Sequence, residues 1–364
     1  MRGMTGMEID ISGAFDPAGP DDDAQGQVPT ERTAGATLLE VDDLAVEFRS
    51  DDGAVRAVDG LSYRVEAGRT LALVGESGCG KSVSSLAVMG LLPPTARVVR
   101  GSARYRGTDL LALSPAKHRA HAGTHVAMVF QDALAALNPV HTVGYQLTEA
   151  LRARSGLSRR EARRRAIELL DLVKVPNAAG RVDEYPHQFS GGMRQRVMIA
   201  SALALDPDVL IADEPTTALD VTVQAQVLRL LAEIQAERQM GLVLITHDLG
   251  VVAGVADDVT VMYAGRAVEH APVRDLYAAP AHPYTRALLR SVPRLDAGAD
   301  GDRLPVVPGR PPVPGRVPSG CPFHPRCDMA RDVCRTDVPP LADAAPERSS
   351  ACFFAAELLG GARA

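Results

Sequence analysis

The chain of 364 residues has a mass of 38.5 kDa, which suggests about two domains. Its 46% hydrophobic content supports a packed core, and its formal net charge of -6 argues against a general nucleic-acid-binding protein. No stretch approaches ~20 consecutive apolar residues, and no apolar segment follows the basic residue near the N-terminus, so we expect neither a membrane span nor secretion.

The first half of the chain begins with a segment rich in Gly, Pro and Asp, residues 1–36, which we expect to be a disordered extension. Strand-like alternation of apolar and polar residues follows at 38–65. The compact apolar run Thr70–Val74 is typical of a buried strand, and a glycine-rich segment separates it from a predicted helix at 82–90. Another short strand is predicted at 126–130.

The second half continues this alternation of strands and helices. Its predicted elements are a mostly helical stretch at 145–185, strands at 209–212 and 242–245, a strand pair near 259–269, and helices at 221–238 and near 272–290. Ser158 and Glu161 form a capping box for one of these helices, which we expect to end at Pro176. The continuous apolar strands predict an α/β fold with a sheet buried on both faces.

A phosphate-binding motif stands between the predicted strand and the predicted helix. It fits G-x-x-x-x-G-K-[ST] and consists of Gly75, Glu76, Ser77, Gly78, Cys79, Gly80, Lys81 and Ser82. The glycines let backbone N–H groups turn inward around phosphate oxygens, and the helix N-terminus adds positive charge. We expect Lys81 to reach the β- and γ-phosphates and Ser82 to bind Mg²⁺, with Cys79 a small filler. Lys occupies only three positions in the chain, so a chance lysine here is improbable.

An acidic pair follows the predicted strand at 209–212. Ligands of parallel α/β sheets bind at the carboxyl ends of the strands, where Asp213 and Glu214 lie. We expect Asp213 to hold Mg²⁺ through water and Glu214 to orient and polarise the attacking water. Together with the phosphate-binding motif, the pair predicts a nucleoside triphosphatase.

A second glycine-rich helix start, Ser190-Gly191-Gly192, presents another nest of backbone N–H donors. It lies about a hundred residues from the first one. One nucleotide needs one cradle of this kind. We therefore infer that the second helix start serves a nucleotide held by another chain.

These motifs resemble those of the ATP-binding subunits of ABC transporters, and the resemblance extends from about Leu38 to Pro293. It implies a P-loop fold of the ABC ATPase type, in which a RecA-like core carries an antiparallel β subdomain and a helical subdomain at about 138–190. The implied ATPase domain covers 37–291. From residue 292 onward Pro and Gly become frequent and four of the five Cys residues appear, so we expect a small C-terminal domain at 292–364.

The resemblance also implies roles for single residues. The signature motif, which would contact ATP on the facing subunit, is identified as Ser190, Gly191, Gly192 and Gln195. Gln131 resembles the glutamine that touches Mg²⁺ and the attacking water, Asp220 the D-loop aspartate at the dimer interface, and His247 the histidine that contacts the γ-phosphate. Phe48 is our prediction for the aromatic residue that stacks on adenine, with Val55 as its rival.

Within this family, the sequence resembles the branch that imports oligopeptides, dipeptides and nickel. This resemblance rests on Leu137-Asn138-Pro139-Val140, on the segment 282–286 and on the C-terminal cysteines. It implies a motor at the cytoplasmic face of the cell membrane that couples ATP hydrolysis to peptide import, with nickel or another small solute as alternative cargo. The implied partners are two permease subunits, an extracytoplasmic substrate-binding protein and a second homologous ATPase, with a homodimer left open.

A soluble ABC ATPase that acts in DNA repair or translation is the rival class. Repair ATPases insert a long coiled coil between the two glycine-rich motifs, whereas this chain has about 110 residues there without sustained heptads. Translation ATPases usually carry two phosphate-binding loops, and this chain has one. We therefore expect no nucleic-acid partner.

Four cysteines, Cys321, Cys327, Cys334 and Cys352, are separated by five, six and seventeen residues. Four thiolates can hold Zn²⁺ or a [4Fe-4S] cluster. The wide spacing in a proline-rich segment favours the cluster over the tight knuckles of structural zinc, and the resemblance implies the same. Zinc and unligated thiols remain the alternatives.

Overall fold

The computed structural model describes residues 34–50, 53–217, 219–292 and 306–361. The predicted extension at 1–36 therefore lies outside the described residues except for its last three. The backbone of Gly35 and Ala36 is hydrogen-bonded to Ala67. No helix within the described ranges has the length and apolar character needed to cross a membrane.

The described residues form two sheets and a set of helices. The strands are β1 Thr37–Ser50, β2 Gly53–Glu66, β3 Thr70–Val74, β4 Ala96–Tyr105, β5 Thr108–Asp109, β6 Val126–Val129, β7 Val209–Asp213, β8 Gly241–Thr246, β9 Asp258–Tyr263, β10 Arg266–Pro272, β11 Ala342–Ala345 and β12 Arg348–Ser350. The helices are α1 Lys81–Val88, α2 Pro115–His121, α3 Ala133–Ala136, α4 Val143–Ser155, α5 Arg159–Leu172, α6 Ala178–Arg181, α7 Gly191–Ala202, α8 Val221–Arg238, α9 Leu249–Val252, α10 Val273–Ala278, α11 Pro283–Arg290, α12 Asp332–Thr336 and α13 Ala355–Gly361.

The larger sheet has the strand order β11-β12-β10-β9-β3-β8-β7-β6, and its strands from β9 to β6 run parallel. Every residue of β3, β7 and β8 is buried. Successive side chains point to opposite faces: Leu210 and Ala212 join one apolar cluster, whereas Val209 and Ile211 join another. The prediction of a sheet buried on both faces is confirmed.

The smaller sheet is antiparallel, with the order β2-β1-β4-β5. Its alternating residues, among them Leu39, Val41 and Leu61, face the same apolar cluster as α1. This packing fixes the β1–β2 hairpin beside the segment that joins β3 to α1.

Helices α4, α5 and α7 pack together over the other face of the larger sheet. The capping box of α5 is present: the Ser158 hydroxyl accepts from the Glu161 N–H at 3.3 Å, and the Glu161 carboxylate accepts from the Ser158 N–H at 3.0 Å. Helix α5 ends at Leu172, four residues before the predicted end at Pro176, because Lys174 adopts a left-handed φ of 59° that leaves the helix.

The C-terminal residues extend the larger sheet, because the β11–β12 hairpin pairs with β10. Phe323 packs among the rings of Tyr263 and Tyr284, with ring centroids 5.3 Å away in both cases. The fully buried carboxylate of Glu269 accepts the N–H groups of Ala281 and His282 at 2.6 and 3.0 Å, which ties β10 to the start of α11.

Candidate active site

The carboxyl ends of four parallel strands bring the predicted catalytic residues to one edge of the larger sheet. The phosphate-binding loop follows β3, Asp213 ends β7, His247 follows β8, and Gln131 lies two residues after β6. The register places the ends of β3, β8, β7 and β6 side by side. The parallel register of the sheet therefore brings these side chains together.

The loop 75–80 has the backbone shape that phosphate binding requires. Gly78 and Gly80 adopt φ angles of +79° and +103°, which residues with a Cβ rarely adopt. A Cβ on Gly80 would also lie 2.5 Å from the Ala57 carbonyl oxygen. Lys81 is buried, and its Nζ donates to the carbonyl oxygens of Gly75 and Glu76 at 2.7 and 3.1 Å. The loop thus wraps around its own lysine.

Ser82 and Asp213 lie in direct contact at the start of α1. The Ser82 hydroxyl donates to Asp213 Oδ1 at 2.9 Å. Burial raises the pKa of the Asp213 carboxyl, against the opposing effect of the Ser82 hydrogen bond. A hydroxyl and a carboxylate side by side are the oxygen donors that Mg²⁺ prefers beside a bound phosphate. The residues present therefore fit a magnesium ion.

Glu214 is the centre of a polar cluster. Its Oε2 accepts from Thr217 Oγ1 at 2.8 Å and from Gln131 Nε2 at 3.1 Å, and its Oε1 lies 3.3 Å from His247 Nδ1. Its backbone adopts a left-handed φ of 43°, a conformation that non-glycine residues hold at a cost and that is common at functional sites. Burial acts to raise the pKa of Glu214, but the hydrogen bonds from Thr217 and His247 outweigh it and lower the pKa.

An open cavity of about 820 Å³ lies between the loop and the Glu214 cluster. Ten of the thirteen residues predicted for the nucleotide, magnesium and catalytic roles line it: Phe48, Glu76, Ser77, Gly78, Gly80, Lys81, Ser82, Gln131, Glu214 and His247. Asp213 is buried and reaches the site through its contact with Ser82. Gly75 and Cys79 are buried behind the loop instead, where burial raises the pKa of the Cys79 thiol. The cavity has the volume and the donor groups that a nucleoside triphosphate needs.

Phe48 and Val55 face each other across the β1–β2 hairpin, and both line the cavity. Sequence reasoning missed five further lining residues, namely Ala57, Val83, Thr217, Leu288 and Pro314. Leu288 and Pro314 lie in segments that follow His247, the last predicted catalytic residue, and no local sequence pattern indicates that they line the cavity. They add apolar surface opposite the hairpin.

The signature residues lie away from this cavity. Ser190 is exposed and caps α7 by accepting from the Met193 N–H at 3.3 Å, whereas Gln195 is buried. Asp220 is exposed and caps α8 by accepting from the Val223 N–H at 3.0 Å. Among the described residues that line the cavity, none belongs to the signature motif or to the D-loop.

The four C-terminal cysteines line one small apolar cavity together with Phe323, Phe353 and Phe354. Backbone N–H groups of Met329 and Phe354 donate to the sulfur atoms of Cys327 and Cys352, both at 3.4 Å. Burial raises the pKa of the Cys327 thiol to about 11. In the part of the chain that the structure describes, no group of three or more His, Cys, Asp or Glu side chains is arranged to hold a metal ion.

Two family models match the chain. One described as ABC transporter matches residues 58–217, and one described as oligopeptide/dipeptide transporter, C-terminal region, matches residues 268–334. The first match contains the loop 75–80 and three members of the Glu214 cluster, namely Gln131, Glu214 and Thr217. His247 lies outside it. The second contains Cys321, Cys327 and Cys334.

Named relatives match over most of their length. The chain is 51% identical over 317 residues to a putative peptide import ATP-binding protein of Brucella abortus (strain 2308), with 87% of this chain and 95% of that protein covered. It is 49% identical over 322 residues to the oligopeptide transport ATP-binding protein OppD of Salmonella typhimurium (strain LT2), with 88% and 95% covered.

Solved structures match about two thirds of the chain. A dimeric post-hydrolysis structure of the ATP-binding cassette MJ0796, bound to ADP and Pi, aligns with a TM-score of 0.59 at 23% identity, covering 65% of this chain and 99% of that one. The cbiO1 protein of Clostridium perfringens, described as part of the ABC transporter complex cbiONQ, aligns with a TM-score of 0.57 at 27% identity, covering 67% and 91%.

Proposed function

Since this chain belongs to the family of ABC transporter ATP-binding proteins, we propose that it is the ATP-hydrolysing motor subunit of a peptide importer. One observation carries the proposal: the phosphate-binding loop, Ser82 and the Glu214 cluster line one cavity, and the buried Asp213 accepts a hydrogen bond from Ser82. The match of residues 268–334 to the oligopeptide/dipeptide transporter model supports peptide as the cargo.

The proposed reaction uses the cluster around Glu214. Lys81 and the N–H groups of the loop would hold the triphosphate, and Ser82, Asp213 and the amide oxygen of Gln131 would hold Mg²⁺. Magnesium, when bound, neutralises charge on the phosphate oxygens. The Glu214 carboxylate orients a water molecule and accepts its proton as the water oxygen attacks the γ-phosphorus and the bond to ADP breaks. His247 is placed to contact the γ-phosphate.

Two ATPase subunits would complete the site. The Ser190 helix start is exposed and lies away from the cavity of its own chain, which fits a contact with ATP on a facing subunit. We propose a head-to-tail dimer with a homologous, non-identical ATPase, and a homodimer is the alternative. ATP binding closes such a dimer, because each γ-phosphate adds contacts that the open state lacks.

An exposed apolar surface follows Gln131 and is proposed to dock the permease subunits. Leu134, Val140 and Tyr145 are 61%, 71% and 48% exposed. Exposed apolar residues that cluster near a functional site are typical of interaction surfaces. The complete importer would hold two permeases and an extracytoplasmic substrate-binding protein, with this subunit at the cytoplasmic face of the membrane.

Leu134→Asp tests the transporter proposal. A charge at the centre of an apolar contact should lower co-purification with the membrane subunits, and uptake of labelled peptide, by roughly tenfold or more. ATP affinity of the isolated chain should stay unchanged. The matched control is Leu91→Asp, at a residue that is 49% exposed and lies outside this surface.

Unchanged co-purification and uptake for Leu134→Asp would refute the docking surface. Uptake of nickel in place of peptide by the unsubstituted complex would assign the alternative cargo. Recovery with ribosomes or DNA, and without membrane proteins, would favour the soluble class.

The four C-terminal thiols are proposed to hold a [4Fe-4S] cluster. They share one apolar cavity, and two of them accept backbone N–H groups, a contact that stabilises thiolate ligands. A four-iron cluster is larger than one ion, so its ligands stand farther apart than the ligands of a single zinc. Four thiols that line one cavity agree with such a ligand set.

Anaerobic purification with iron and sulfide analysis tests the cluster. We expect about four iron and four sulfide per chain and a brown protein. Cys321→Ser should lose most of the iron, whereas Cys79→Ser, at the buried cysteine of the phosphate-binding loop, should retain it. A colourless chain with zinc or without metal would refute the proposal.

A further inference from the structure

Arg326 links the C-terminal cysteine segment to the phosphate-binding loop. Its Nη1 donates to Glu76 Oε2 at 2.6 Å and its Nη2 donates to Glu76 Oε1 at 2.9 Å. The Arg326 side chain is only 5% exposed, and the Glu76 side chain is 26% exposed at the edge of the cavity. Two parallel bonds between a guanidinium and a carboxylate form a geometrically specific pair.

The guanidinium of Arg326 is fixed from every side. Its Nε donates to the Pro308 carbonyl at 2.7 Å, and Nη1 also donates to the Tyr263 hydroxyl at 3.3 Å. The guanidinium carbon lies 5.8 Å from the centre of the Tyr263 ring and 5.9 Å from that of Phe323. A planar fork suits these contacts, which a lysine ammonium could not reproduce.

Glu76 is fixed through its backbone as well. Its N–H donates to the Tyr284 hydroxyl at 3.0 Å, and its carbonyl oxygen accepts from Lys81 Nζ at 3.1 Å. Glu76, the partner of Arg326, is therefore also a direct hydrogen-bond partner of Lys81. A carboxylate at this place would also repel a triphosphate unless its charge is balanced.

We propose that Arg326 is a positioning residue for ATP binding, which neutralises and holds Glu76 so that the loop 75–80 keeps the shape that receives the phosphates. The proposal rests on the proposed function, since it concerns the same nucleotide site.

Arg326→Met tests the proposal by titration of the full-length chain with Mg-ATP. We expect ATP affinity to fall about tenfold, within the usual range of coupling between linked sites. In the assembled complex KM should rise while kcat changes less than about twofold. Arg326→Lys keeps the positive charge but loses the planar guanidinium. Its ATP affinity should lie between those of the unsubstituted chain and Arg326→Met.

The double variant Glu76→Gln/Arg326→Met separates positioning from a general structural role. Once Glu76 is neutral, loss of Arg326 should cost less than about twofold relative to Glu76→Gln alone. Arg331→Met is the matched control, because it removes an equally bidentate pair, Arg331 with Glu357 at 3.0 and 2.6 Å, within the same C-terminal region. ATP affinity should not change in that control.

Equal losses of affinity from Arg326→Met in both backgrounds would overturn the proposal, as would an unchanged affinity in the single variant. A loss in Arg331→Met as large as in Arg326→Met would overturn it too. Failure of the proposed function has a different signature, because the unsubstituted chain would then fail to bind ATP.

Discussion

Glu214→Gln is expected to leave ATP affinity within about threefold of the unsubstituted chain while ATP turnover in the assembled complex falls at least ~100-fold, the usual contribution of a general base. The glutamine has nearly the same shape. Its amide oxygen can still accept the hydrogen bonds from Thr217 and Gln131, which hold Glu214 Oε2 at 2.8 and 3.1 Å. The amide cannot take a proton from water.

Phosphate release and nucleotide titration measure the two halves of this prediction. Glu233→Gln is the control, since Glu233 lies on α8, is 48% exposed and pairs with Lys174, outside the cavity. Turnover that stays near the parent value in Glu214→Gln would remove Glu214 as the base. A loss of ATP binding would instead make it a binding residue.

Lys81→Ala is expected to weaken ATP binding about 100-fold or more, because truncating one partner of a buried charge-assisted contact is costly. Lys81 is buried, and its ammonium already lies in the loop against the carbonyl oxygens of Gly75 and Glu76. Phosphate oxygens would add charged acceptors to these two neutral carbonyl acceptors. Titration with a fluorescent ATP analogue measures the loss.

Lys117→Ala is the matched control for this second prediction. Lys117 is exposed on α2, so the substitution removes the same charge from the surface instead of from the loop. It should bind ATP like the parent chain. Thermal unfolding without nucleotide must also be compared, since Lys81 supports two loop carbonyls. An unchanged ATP affinity in a folded Lys81→Ala variant would contradict the proposed role.

The parts of the site that were predictable depend on short stretches of chain. The motif 75–82 directly follows β3, and the carboxylates Asp213 and Glu214 lie at the end of β7. Strand position and motif spacing are therefore enough to place them. The α/β fold predicted from these strands is confirmed, and so is the P-loop fold of the ABC ATPase type that the family resemblance implied. Local hydrogen bonds, such as the capping box of Ser158, were predictable for the same reason.

The parts that were not predictable join residues far apart in the sequence. Arg326 and Glu76 are 250 residues apart, and nothing near either residue indicates the other. Pro314 reaches the nucleotide cavity from beyond the last motif of the ATPase part. Such contacts depend on how the C-terminal segment packs.

The most direct test is a structure of the Glu214→Gln complex trapped with Mg-ATP. We expect each ATP to lie between the loop containing Lys81 in one subunit and Ser190, or its equivalent, in the facing subunit. If each nucleotide were instead enclosed by a single polypeptide, with Ser190 far from any phosphate, the shared-site mechanism would be wrong.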